Sequence, residues 1–274
     1  MRVILPRSPK QTSVLNLLLS RGGMFLHELI TLSGADSATV RALEKKGLVC
    51  ISRQASMRDP FANHTILRTD PPTLMPEQAA ALERIIKAIE KLNPLPQGER
   101  VSSSVILLHG VTGSGKTEVY LQAIDYAVNR GQSAIVLVPE IALTPQTIER
   151  FRGRFGDTIA VLHSHLSDGE RHDEWHRIHG GQARIVIGAR SAVFAPVQNL
   201  GLIVVDEEHE NTYKQEEAPR YNARDVAVMR GHMEGCVVVL GSATPALESF
   251  SNAKKGKYQS VSYTHLTLPT IYSV

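Results

Sequence analysis

From residue 76 onward the chain alternates short, unbroken apolar runs with longer stretches in which apolar positions recur every three or four residues. An apolar run of four or five bounded by turn residues reads as a buried strand, and the longer period reads as helix. The pattern predicts a helix over 76–92, a loop holding Pro94 and Pro96, a strand over 105–108 and a helix over 117–129. A strand over 134–138 and a helix over 145–155 follow, then strands over 159–162, 184–187, 202–205 and 236–240 with helices between. Buried strands separated by helices imply a parallel sheet covered on both faces, whose ligands sit beyond the strand C-terminal ends.

Upstream the pattern changes. Three short helical segments are predicted over 11–20, 25–32 and 37–46, the last with Asp36 as N-cap and Gly47 as its stop. A strand over 48–52 and a second over 64–67 complete the outline of a small winged-helix-like domain over 1–69. Its candidate recognition helix carries Arg41, Lys45 and Lys46 against Asp36 and Glu44, which leaves both a duplex-groove role and a spacer or docking role open. Asp70-Pro71-Pro72 marks the boundary to the larger domain, because successive prolines block helix propagation.

Charge and cysteine usage narrow the class only slightly. A net charge of +3 over 274 residues permits nucleic-acid contact without requiring it. Cys50 and Cys236 stand far apart without C-x-x-C spacing, which argues against a disulfide framework or a zinc site and favours a reducing, cytoplasmic setting. No apolar run reaches the roughly 18 residues a membrane span needs.

The residues 105–118, VILLHGVTGSGKTE, join a buried strand to the spacing G-x-x-x-x-G-K-[ST]. Gly110, Gly113 and Gly115, with Ser114 between, permit the backbone angles that turn amide donors toward phosphate oxygens. Lys116 can then reach the terminal phosphates of ATP, Thr117 can offer its hydroxyl to Mg2+, and the helix opening at Lys116 adds its positive end. A second strand ends in LIVVDEEH at 202–209. Asp206 is placed to hold magnesium and Glu207 to polarise an attacking water. A third strand ends in GSATP at 241–245, equally compatible with a plain strand-to-helix turn that puts Pro245 at the first helical position.

In this order and spacing the three motifs resemble the first motor lobe of superfamily 2 helicases, a RecA-like fold. GVTGSGKTEVYL at 110–121, VPEIALTPQ at 138–146, LHSHLSDGER at 162–171, IGARSAVF at 187–194, YKQEEAPRYNARDVAV at 213–228 and GSATPALES at 241–249 resemble the replication-restart (PriA) helicase family. The resemblance covers about residues 70–260. It implies that Gln78 contacts adenine, that His209, Ser242 and Thr244 couple nucleotide state to the DNA path, and that Thr144, Gln146 and Arg190 contact single-stranded backbone.

The 213–224 segment resembles the family's aromatic-rich loop. Pro219 stands here where relatives carry a bulky aromatic, which leaves Tyr213 and Tyr221 to stack on bases and Lys214, Arg220 and Arg224 as cationic contacts. The histidines between His163 and His179 are irregularly spaced and read as solvated positions.

Taken whole, the resemblance implies an ATP- and Mg2+-dependent 3′ to 5′ DNA helicase of replication restart. Its partners would be single-stranded or forked DNA and other primosome and single-strand-binding proteins. Residues 70–261 are expected to be one motor lobe that lacks the second lobe, with its zinc-binding insertion and arginine finger; zinc is therefore not expected, and the chain should bind ATP yet hydrolyse it poorly. The threonine-rich residues 262–274 depart from the family and are expected to be a foreign tail. Another superfamily 2 translocase, or a nucleotide- and DNA-binding module without turnover, are the rival readings.

Overall fold

The computed structural model describes residues 8–22, 24, 26–51, 68–92, 104–164 and 166–263. The chain divides into two compact units, Met1–Ser56 and Met57–Val274. The larger unit reaches back past the prolines, since the Thr69 amide donates to Gly153 O at 3.0 Å and Gln122 donates to Pro72 O at 3.0 Å.

The small unit contains α1 (Pro9–Arg21), α2 (Leu26–Ser33) and α3 (Ser37–Lys45) around a core of Val14, Leu29, Ala35, Val40 and Leu43. Asp36 caps α3 as expected, its carboxylate accepting the Thr39 amide at 2.7 Å, and Gly47 turns the chain at φ 69°. The strand expected over 48–52 is absent over its described part, 48–51. There the Leu48 amide donates back to Leu43 O and the Ile51 amide to the Glu44 carboxylate, so the backbone is satisfied locally rather than by a ladder. The expected strand over 64–67 and the loop with Pro94 and Pro96 lie outside the described residues.

The large unit is built on a seven-stranded, wholly parallel sheet in the order β3-β4-β2-β5-β8-β1-β9. These strands are β1 (Ser104–Gly110), β2 (Ser133–Leu137), β3 (Ile159–Leu162), β4 (Ile185–Gly188), β5 (Leu200–Val205), β8 (Val237–Ser242) and β9 (Gln259–Tyr263). Between them run α4 (Pro76–Lys91, ahead of β1), α5 (Lys116–Asn129), α6 (Pro145–Phe155), α7 (Asp168–His179), α8 (Ala223–Glu234) and α9 (Leu247–Lys254). A short antiparallel pair, β6 (Lys214–Gln215) with β7 (Tyr221–Asn222), forms the hairpin ahead of α8.

Strand alternation splits the core. Ile106, Val136, Val204 and Val239 face a cluster completed by α4, α5 and α6, while Leu107, Ile135, Ile203 and Val238 face one completed by α7 and α8. Helices thus cover both faces, as the unbroken apolar strands require.

The residues that carry chemistry gather at the C-terminal ends of β1, β5 and β8, neighbours at the sheet centre. Strand β9 was not predicted. Ser262 and Tyr263, assigned from sequence to a tail, complete it, pairing with His109 and Gly110 of β1. The expected tail boundary therefore falls inside an edge strand. Pro245 does not open α9 either, because the helix begins at Leu247 behind Ala246.

Candidate nucleotide site and nucleic-acid face

The loop after β1 has the shape its glycines allow. Gly113 and Gly115 both take φ 80°, and a Cβ on Gly110 would come within 2.8 Å of Ser114 Oγ. Helix α5 starts directly behind at Lys116, with Thr117 in its first turn. The Lys116 ammonium is buried, donates to Gly110 O at 2.7 Å, and finds its nearest carboxylate, Glu207, only at 3.7 Å. A buried cation held by carbonyls beside glycine-turned amides suits a polyanion that could replace those carbonyls. Gln78 is buried too. Its amide oxygen accepts the Met75 N–H and its nitrogen donates to Ser114 O at 2.8 Å, so α4 is tied to the loop while one amide N–H and one oxygen lone pair stay open to an adenine contact.

Asp206 and Glu207 leave β5 beside this loop. Glu207 has φ 44°, unusual for a residue with a side chain, so the chain turns sharply directly behind Asp206. Burial, reinforced by the neighbouring Glu207 charge, pushes the Asp206 carboxyl up from 3.8 to about 6, against the opposing pull of Lys116 and the Tyr120 hydroxyl. Among the described residues no group of three or more His, Cys, Asp or Glu could cage a metal. One carboxylate and one hydroxyl, Asp206 and Thr117, instead suit a magnesium ion that keeps water and phosphate oxygens as its other ligands. Both line one cavity of about 280 Å³.

Three side chains that sequence reading missed or misplaced hold this acidic turn. Tyr120 is fully buried and donates to Asp206 Oδ1 at 3.2 Å. It occupies space that only Gly241 leaves open, since a Cβ there would lie 1.6 Å from its hydroxyl. Glu208 is buried and accepts from the Ala246 amide at 2.7 Å, Ser249 Oγ at 2.8 Å and Arg224 at 3.3 Å. Tyr213, expected to stack on bases, is also buried, and its hydroxyl donates to Asp206 O at 2.6 Å. The available signal was spacing: Tyr120 stands four residues after Lys116 on the inward face of α5, and Glu208 two after Asp206.

The nominated coupling residues meet. His209 Nδ1 shares a 2.8 Å hydrogen bond with Ser242 Oγ, which also accepts the Thr244 amide at 3.0 Å. Arg224 does not reach the surface as a cationic contact. It is 8% exposed, its guanidinium spent on Glu208, Asp225 and Glu248. Burial of the guanidinium opposes its charge, but the hydrogen bond and charge of Asp225, with Glu208, hold its pKa above the ordinary value.

The other nominated residues spread over the same end of the sheet. Arg190 follows β4 and donates to Lys214 O at 2.6 Å, anchoring the hairpin. Lys214 and Arg220 are exposed, and Tyr221 is half-buried with its ring edge-on to Phe194 at 5.2 Å. Thr144 caps α6 by accepting the Thr147 amide, and Gln146 lines the cavity of Thr117 and Asp206.

The pattern of the DEAD/DEAH box helicase family matches residues 76–253. The chain belongs to that family. Within it, the chain is 48% identical to the replication restart protein PriA of Bacillus subtilis (strain 168) over 94% of its own length, and 43% identical to PriA of Synechocystis sp. (strain ATCC 27184 / PCC 6803 / Kazusa) over 91%. It spans 31% of each of these relatives. The solved structure of RecG bound to a three-way DNA junction superposes with a TM-score of 0.52 at 23% identity, covering 74% of this chain and 25% of that one, which bears on the fold alone. The helicase fold expected from the motifs is thus met by the family match and the superposition, and the replication-restart resemblance by the PriA relatives. No helix among the described residues is long and apolar enough to cross a membrane.

Proposed function

We propose that this chain binds ATP with Mg2+ and single-stranded DNA, as the first motor lobe of a 3′ to 5′ DNA helicase of replication restart. The observation that carries the reading is the meeting of Lys116 with Asp206 and Glu207 at the central strand ends, where the acidic turn is bonded to the hairpin through Tyr213 and to the end of β8 through His209. The similarity to PriA supports the DNA and replication-restart parts. The lobe is assigned to 70–261 together with Ser262 and Tyr263 of β9, and the small N-terminal unit to a winged-helix-like domain.

ATP supplies the phosphoryl group passed to water, with Mg2+ offsetting its charge. The chain's own residues do the rest. Loop amides and Lys116 bind the phosphates, Thr117 and Asp206 hold the metal, and Glu207 accepts a proton from the attacking water. Tyr120 and Tyr213 fix Asp206 at side chain and backbone respectively. His209 and Ser242 carry a change at the acidic turn to the end of β8, and Lys214 and Arg220 meet DNA phosphates. Forked DNA, primosome proteins and single-strand-binding proteins are the partners assigned to the whole protein.

The competing reading is a nucleotide- and DNA-binding module without turnover. Phosphate release measured with and without oligo(dT) separates the two. Release that rises with oligo(dT) and vanishes in Glu207→Gln supports the motor, and ATP binding with no release in either condition supports the module.

A further inference from the structure

We infer that a cleft on this face, beside the start of the hairpin, takes a base of single-stranded nucleic acid against the indole of Trp175. The cleft has a volume of about 420 Å³ and opens beyond the C-terminal ends of β2, β3 and β4. Two large aromatic side chains line it while exposed to solvent, Trp175 at 45% and Phe194 at 57%. Exposed aromatic surface gathered in a concave site marks a place where something docks.

Both rings are held in place. Trp175 lies parallel to His179 at 4.9 Å and edge-on to His176 at 5.2 Å, all on α7. Phe194 rests against the edge of Tyr221. Ring positions fixed in advance reduce the entropy lost when a flat partner is stacked.

The charges choose the partner. Arg171 precedes Trp175 by one helical turn, and Arg190 faces the same cleft from the other side of the strand ends. A single lining carboxylate, Glu140, opposes them, and it accepts a hydrogen bond from Ser164. Guanidinium groups beside accessible aromatic faces fit an unpaired base and its flanking phosphate, whereas duplex bases are already stacked. Of the residues nominated for DNA from sequence, Arg190 and the buried Tyr213 line this cleft.

This inference rests on the single-stranded DNA reading above. Trp175 is the one tryptophan in the chain, so its emission reports on this site without labelling. Unlabelled oligo(dT) titrated into the full chain, with fluorescein-oligo(dT) anisotropy in parallel, should quench Trp175 emission along the same curve as the anisotropy rise. Trp175→Ala should weaken binding about tenfold, and Trp175→Phe, which keeps a ring, by less than about threefold. Circular dichroism checks that both variants fold. A full anisotropy rise with unchanged Trp175 emission, or Trp175→Ala binding like wild type, overturns the cleft assignment while the DNA reading stands. No anisotropy change for the wild-type chain overturns both.

Discussion

The hydroxyl of Tyr213 donates to the backbone carbonyl of Asp206 across 2.6 Å, which joins the start of the hairpin directly to the acidic turn at the nucleotide site. A tyrosine in a sequence loop full of lysine, glutamate and arginine thereby serves the fold from the inside.

Tyr213→Phe removes the donor and leaves a buried carbonyl without its partner. Unfolding should become easier by about 1–3 kcal/mol. Because Tyr213 is buried, oligo(dT) affinity should stay within twofold of wild type, whereas Tyr221→Ala, on the half-buried ring, should weaken it. Thermal melts and anisotropy titrations of the two variants check both statements.

Glu208 offers a sharper contrast. Its carboxylate serves three donors at once, and Glu208→Ala leaves the Ala246 amide, Ser249 and part of Arg224 unsatisfied. The expected loss is about 3–5 kcal/mol, as for breaking a buried pair on one side. Glu208→Gln keeps acceptor capacity and should lose clearly less. Urea denaturation of the two variants decides, and equal losses would mean that charge alone matters there.

Gly241→Ala tests the packing of Tyr120. A methyl group placed 1.6 Å from its hydroxyl must displace the ring, since β8 is flanked by strands on both sides and cannot yield. Destabilisation by about 1–3 kcal/mol is expected. The Tyr120–Asp206 bond should break with it, so magnesium-dependent nucleotide binding should weaken as well.

The metal-free protein should show an acid-side trace of Asp206. Its folded pKa of about 6 lies above the ordinary 3.8, so the native state holds a proton that the unfolded chain has released. Stability should therefore fall as pH rises from about 4 to about 6, by at most about 3 kcal/mol at full burial and less for a half-buried group. Asp206→Asn, which carries no charge, should flatten this part of the curve in denaturation measured from pH 4 to 7.

Sequence reading succeeded where one physical cause dominates. The four residues Val105–Leu108 can only be a buried strand, and the glycines ahead of Lys116 can only be a turn, so β1, its loop and α5 were legible together. Burial of polar residues was not legible, because it depends on partners distant in sequence. Arg224 looks like a surface cation until Glu208, sixteen residues earlier, is seen beneath it. Strand β9, QSVSY, alternates and sits at an edge with only Val261 and Tyr263 buried, which leaves too weak an apolar signal. Leu48–Ile51 had the opposite fault, since strand-like composition there lost to local hydrogen bonds.

Contact with DNA phosphates should appear as salt dependence. If about four phosphates are met, the log-log slope of oligo(dT) affinity against salt should be near about −3. Charge removal at Lys214 and Arg220 together should lower its magnitude by about 1 to 2, and a flat wild-type response would remove backbone contact from the account.

The account depends most on Lys116 and the loop before it. Isothermal titration of a slowly hydrolysed ATP analogue with Mg2+ into the wild-type chain and into Lys116→Ala tests it directly. Saturable one-site binding to the wild type, lost or weakened at least about a hundredfold in the variant, is the predicted result. Equal affinity for both chains would contradict it.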